Sequence, residues 1–155
     1  IVVDNLILGE TRRIIPFLSP LFQIIRSHNT GASFGLLPNA GDLFAIVAVI
    51  VILVLLYMYP RIPNDKRLQG LATGLIIGGA LGNVLDRLTY GYVIDFINYQ
   101  IPGVISNVSN LADHAIVFGV ILFFISSWRD EQINAAQKSQ APQPNTETPP
   151  QPPVS

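Results

Sequence analysis

The sequence predicts a membrane all-α bundle with a small β-rich cradle at one end. Three observations carry this. Half of the 155 residues are hydrophobic and only 12% are charged, whereas a soluble domain carries about 25% charge. Three stretches are apolar and long enough to cross a bilayer. The segments before and between them hold Gly, Asn and Pro beside short β-leaning runs.

Taken in order, residues 1–41 contain the β-leaning run Leu21–Ile25, followed by Gly- and Asn-rich turns. The first span, Leu43–Tyr59, has no charge and no helix breaker before Pro60. The second, Leu68–Leu88, begins apolar and turns polar at its end. Residues 89–110 contain Tyr90–Gly91, Pro102–Gly103 and several Asn, and read as an ordered loop with short extended segments. The third span, Leu111–Trp128, ends in a Trp suited to an interface. Residues 1–128 thus form one membrane domain. Residues 129–155 hold six of the twelve prolines with Gln, Ser and Thr, and read as a disordered cytoplasmic tail. No span has the flanks of a cleavable signal peptide. The chain opens on Ile and reads as truncated at its N-terminus.

Orientation follows the Lys/Arg bias. Arg61, Lys66 and Arg67 lie in the short loop 60–69, and Arg129 follows the third span. This loop and the C-terminus are therefore expected in the cytoplasm, with 1–41 and 89–110 outside. A net charge of −1 gives no basic footprint for nucleic acid. The absence of Cys removes disulfides, zinc–thiolate sites and thiol nucleophiles. Two distant histidines and no HExxH leave zinc without support, so neither metal nor cofactor is expected.

The polar residues gather at one face of the bilayer. Asn83, Asp86 and Arg87 end the second span, Asp113 and His114 begin the third, Asp95 lies in YVIDFI, and Asn29 lies in HNTGASFG. An ionised carboxylate at a helix centre costs about 2.5–3.5 kcal/mol on insertion scales. The second span carries Gly70, Gly74, Gly78 and Gly82, a small-xxx-small stripe for close packing that Asp86 continues. Asp86 therefore reads as structural. Taken singly, Asp95 reads as a turn or cap residue, and Asp113 as the cap of the third helix. Taken as a pair in a poorly hydrated site, they cannot both ionise cheaply, so one keeps a proton. The charged partner can deprotonate water while the protonated one donates to a carbonyl oxygen.

Rival chemistries have weaker signals. Gly31-Ala32-Ser33-Phe34-Gly35 matches G-x-S-x-G, but LLPNAG follows it rather than a helix. The bland reading of NTGASF is a glycine turn at Gly31 whose Asn29 bonds local backbone. A Ser–Lys dyad lacks an outer-face lysine, since Lys66 and Lys138 both fall on the cytoplasmic side. Intramembrane carboxylates also suit a small proton-coupled carrier, and the glycine stripe suits a non-catalytic lipid-binding or scaffold protein.

HNTGASFG, GGALGNVLDR, GYVIDFI and SNLADHAI, in this order, resemble the motifs of the lipoprotein signal peptidases, or signal peptidase II, across about residues 9–128. LGETRRIIP resembles the segment after that family's first transmembrane helix. The resemblance implies an aspartic endopeptidase of the bacterial inner membrane acting at its extracytoplasmic face. Its substrates are diacylglyceryl-prolipoproteins, cut N-terminal to the lipidated cysteine, with membrane lipids as surroundings. By motif matching the catalytic aspartates are Asp95 and Asp113. Asn29, Asn83, Arg87 and Asn110 match positions that line or support the site, while Asp86 and Gly31 remain structural. Segments 9–41 and 89–105 would form a cradle and flap, with Gly91 and Gly103 as hinges. The sequence departs from the family in three ways. Three spans are present where four are usual, and Asp4 is not the Asp of the first one. Ser109 stands where Phe is common, and Ser33 where Ala is common.

Overall fold

The computed structural model describes residues 6–12, 21–31, 40–101 and 105–140. Three α-helices follow the apolar stretches: α1 (Gly41–Met58), α2 (Arg67–Tyr90) and α3 (Leu111–Gln140). Each is long and apolar enough to cross a membrane. Most of their large apolar side chains face outward, as a lipid environment requires rather than water. A turn of 3₁₀ helix at Tyr59–Arg61 ends the first span where Pro60 removes a backbone donor.

Four strands form one antiparallel sheet in the order β1-β2-β3-β4: β1 (Thr11–Arg12), β2 (Phe22–Asn29), β3 (Val93–Ile101) and β4 (Ile105–Ser109). The predicted Leu21–Ile25 run lies at the start of β2, and the 89–110 loop supplies β3 and β4. Val93 pairs with Asn29 and Asp95 with Ser27, so the end of β2 is fixed beside the start of β3. Gly91, at φ +79°, ends α2 in the left-handed conformation and sends the chain directly into β3. Asp86 reinforces this corner, accepting the Ile94 backbone N–H at 3.0 Å. β4 runs through Asn110 straight into α3.

The α2–α3 seam differs from the predicted glycine stripe. A Cβ on Gly74 or Gly78 would meet nothing within 4 Å, and one on Gly70 only the Tyr59 hydroxyl. On Gly79 it would lie 2.4 Å from the Ala112 carbonyl oxygen, and on Gly119 2.8 Å from that of Ala72. The reason is geometric. Positions four apart drift about 40° around a helix at each step, so only Gly82, at the stripe's end, reaches Ala112. Ala72, Ile76, Gly79 and Asn83, spaced four, three and four, stay on one face. That face delivers Asn83 to the start of α3.

The tail expectation is also corrected. Residues 129–140 continue α3 as an exposed helix instead of beginning a disordered segment. The sequence RDEQINAAQKSQ contains good helix formers, and all six tail prolines lie beyond it, from Pro142 onward. Thirty residues of helix reach about 45 Å, more than the roughly 30 Å hydrocarbon core. Lys66, just before α2, pairs with Asp130 of this extension at 2.7 Å. Residues 141–155, Asp4, Ser33 and Gly103 lie outside the described residues.

Gly79→Ala forces the helices apart against backbone and is expected to cost about 1–3 kcal/mol, whereas Gly74→Ala, in open space, costs nothing and gains up to about 1 kcal/mol of helix propensity. Thermal unfolding in detergent checks this; equal midpoints for the two variants would refute the seam.

Candidate active site

The polar residues of four separate segments meet where the sheet abuts α2 and α3. Asn110 lies between β4 and α3 and is 4% exposed. Its side-chain oxygen accepts the Asp113 backbone N–H at 2.9 Å, so Asn110 caps α3. Capping by Asp113 itself, as the sequence suggested, is therefore corrected. The Asn110 amide has two donors, and both are used. One goes to Asp95 Oδ1 at 2.8 Å and the other to Asn83 Oδ1 at 3.2 Å. Asn83 then donates to Asp113 Oδ1 at 2.7 Å. Two asparagines thus link the two aspartates: Asn110, Asn83 and Asp113 close a ring of hydrogen bonds, and Asp95 is attached to it through Asn110.

Each carboxylate has one further donor. Asn29, at the end of β2, reaches Asp95 Oδ2 at 2.9 Å. Its own carbonyl accepts the Gly31 backbone N–H at 3.1 Å, the local turn anticipated for NTG. Ser109 donates to Asp113 Oδ2 at 3.2 Å. Ser109, the position where the family commonly has Phe, comes within reach because it lies four residues before Asp113 on the run into a helix. Asp86 stays out of this ring on its backbone partner.

Exposure separates the two aspartates. Asp95 is 2% exposed, while Asp113 lines a cavity of about 290 Å³. Burial pushes the Asp95 carboxyl up to about 6, with the Asp113 charge adding to it. Donation from Asn29 and Asn110, and the Arg87 charge, act in the opposite direction. Arg87 lines the same cavity, with its guanidinium directed at the carbonyls of Gly31 (3.3 Å) and Asn83 (3.4 Å). Its Nε is buried with no partner among the described residues, a donor left for a further acceptor. Phe44, Ala48, Ala80, Val93 and Ile116 supply the apolar part of the wall.

This is a multi-pass membrane protein whose polar centre is a pair of carboxylates held by asparagine amides beside a cavity with a polar and an apolar part to its wall. The chain belongs to the signal peptidase II family: that family's model, "Signal peptidase (SPase) II", matches residues 1–129. It is 45% identical over 108 residues to the lipoprotein signal peptidase of Moorella thermoacetica, covering 70% of this chain and 69% of the relative. Against that of Bacillus subtilis the identity is 36%, covering 84% and 82%. A bacterial membrane enzyme solved by the in meso method at 2.3 Å superposes with a TM-score of 0.76 and 28% identity, over 92% of this chain and 83% of that one. The family is one of peptidases.

Asn29→Ala removes a donor that favours the charged form of Asp95, so the Asp95 titration is expected to move upward. Carboxyl-selective NMR of the labelled protein reads it; a downward move or none would contradict the geometry.

Proposed function

We propose that this protein is an aspartic endopeptidase of the bacterial inner membrane that removes signal peptides from diacylglyceryl-modified prolipoproteins. Cleavage falls on the N-terminal side of the lipidated cysteine, at the extracytoplasmic face. The observation that carries the reading is the asparagine-linked pair Asp95 and Asp113, one buried and one lining the cavity. The basic loop 60–69 and the charged end of α3 at the opposite end of the bundle support this orientation.

The roles follow from the unequal surroundings. Asp95, the drier carboxyl, holds the proton of the pair. Asp113 faces the cavity, where a water can sit between it and the scissile carbonyl. Asp113 takes a proton from that water as its oxygen adds to the carbonyl carbon, and Asp95 gives its proton to the carbonyl oxygen. As the tetrahedral diol collapses, the C–N bond breaks. The leaving nitrogen takes the proton from Asp113, and Asp95 recovers its own from a diol hydroxyl. Both aspartates end as they began. For the substrate carbonyl to reach Asp95, one amide must withdraw. Asn29, at a strand end, can swing away without opening the Asn110 bridge. Arg87 lines the cavity, where its guanidinium can hold a substrate backbone or ester carbonyl, and the apolar wall between α1 and the other helices accommodates acyl chains.

Incubating the protein in lipid with a diacylglyceryl-prolipoprotein, and following signal-peptide release by mass, tests the reading. Asp95→Asn and Asp113→Asn should each slow cleavage by about 10²–10⁴-fold, with Asp86→Asn and Ser33→Ala retaining it. A dyad variant that still cuts, or wild type that does not, sinks the proposal; loss in Ser33→Ala alone would return the serine reading. The pH dependence has a definite sign. A carboxyl raised to about 6 is protonated below that value and charged above it. If Asp95 is the acid, kcat/KM, which reports the free enzyme, falls as pH rises through about 6.

A further inference from the structure

The first turn of α3 carries a second connection to β3 that the chemistry above does not use. Asp95, Ile97 and Tyr99 alternate onto one face of β3, because the register irregularity near Asp95 lies in β2 and leaves β3 regular. On α3, Asn110 and His114 are four apart and share a face. The strand and the helix therefore meet at two rungs. Asp95 meets Asn110, and Tyr99 Oη lies 2.8 Å from His114 Nε2.

The other ring nitrogen settles the direction of these bonds. His114 Nδ1 contacts the Asn110 backbone carbonyl, which can only accept. Nδ1 therefore carries the hydrogen, and in the neutral ring Nε2 accepts from the Tyr99 hydroxyl. The same carbonyl is the first acceptor of α3, yet the His114 backbone N–H reaches it only at 3.4 Å. The imidazole supplies the closer contact at the residue whose side chain ties Asp95 to Asn83 and caps Asp113.

We propose that Tyr99 and His114 are positioning residues, which fix the Asn110 backbone from behind so that its side chain holds the two aspartates at a working separation. The inference rests on the aspartic reading above. Neither residue touches the cavity, so their loss acts on the turnover step and not on substrate affinity. The pair is a single device: with the Tyr99 hydroxyl gone, His114 keeps the Asn110 carbonyl but loses the second partner that steadies its ring, and with His114 gone the Tyr99 hydroxyl has no route to Asn110.

The test uses the full chain in lipid nanodiscs with Tyr99→Phe, His114→Phe and the double variant. Each single variant should lower kcat per folded enzyme by about 2- to 10-fold, the worth of one ordinary hydrogen bond, with KM unchanged. The double variant should be no slower than the slower single, since both remove one interaction. Independently, ¹⁵N-imidazole NMR of wild type should find His114 as the Nδ1–H tautomer, with Tyr99→Phe keeping that tautomer on the Asn110 carbonyl but shifting the Nε2 resonance as it loses its donor. The His28 signals, removed by His28→Gln, are thereby set apart. An Nε2–H tautomer in wild type overturns the proposal even if no variant folds. So does an unchanged kcat, or a loss confined to KM, in variants whose wild type still depends on Asp95 and Asp113. If wild type cleaves without those aspartates, the aspartic reading fails, while the tautomer result still stands or falls alone.

Discussion

Two carboxylates beside the hydrocarbon of a bilayer are tolerable only when their oxygens are satisfied, and Asn110 is the residue that joins their partners: it donates to Asp95 and to Asn83, which in turn donates to Asp113. The Asn110 amide uses both donors and its oxygen: one donor to Asp95, one to Asn83, and the oxygen on the Asp113 backbone N–H. An amide is neutral, so it stabilises charge without cancelling it. A lysine in its place would neutralise the pair and remove the reason for the two aspartates to differ. The remaining architecture presents partners to this group: β2 brings Asn29, α2 brings Asn83, and β3 brings Asp95.

Helix packing and site electrostatics are one problem here. Gly79 and Gly119 admit backbone to within contact distance along the α2–α3 seam, and the next residue of that seam is Asn83. A helix pair held further apart would lengthen the 2.7 Å bond from Asn83 to Asp113 first. In lipid, where apolar association between helices has little driving force, such close approach is what sets the spacing. Asp86 does the corresponding work between helix and sheet, using a backbone amide at the corner made by Gly91.

Much of this was legible in the sequence, because membrane spans and motif residues are local signals. The three helices begin within two residues of where the apolar runs do, and YVIDFI is part of a strand. Asn29, Asn83, Asp95, Asn110 and Asp113, from four separate motifs, meet in one hydrogen-bond network, although no single spacing dictates their contacts. What misled was averaging and long-range geometry. Proline content taken over 129–155 concealed twelve residues free of proline, which extend α3. A regular four-residue glycine spacing looked like a packing face, yet 3.6 residues per turn carries it around the helix. The backbone partner of Asp86 and the approach of Ser109 to Asp113 depend on where a chain turns, which composition does not encode. The pairing of Tyr99 with His114 gave no signal: a tyrosine on a strand and a histidine near a helix start are ordinary until the sheet is laid against the helix.

The most direct measurement is the titration of Asp95 by carboxyl-selective NMR in lipid, in wild type and in Asp113→Asn. In wild type Asp95 is expected to titrate at about 6. A lower value is expected in the variant, because removing the Asp113 charge relieves the repulsion that helps keep Asp95 protonated. An Asp95 that titrates in the ordinary carboxylate range, and does not respond to the loss of Asp113, would mean that the two groups do not share a site.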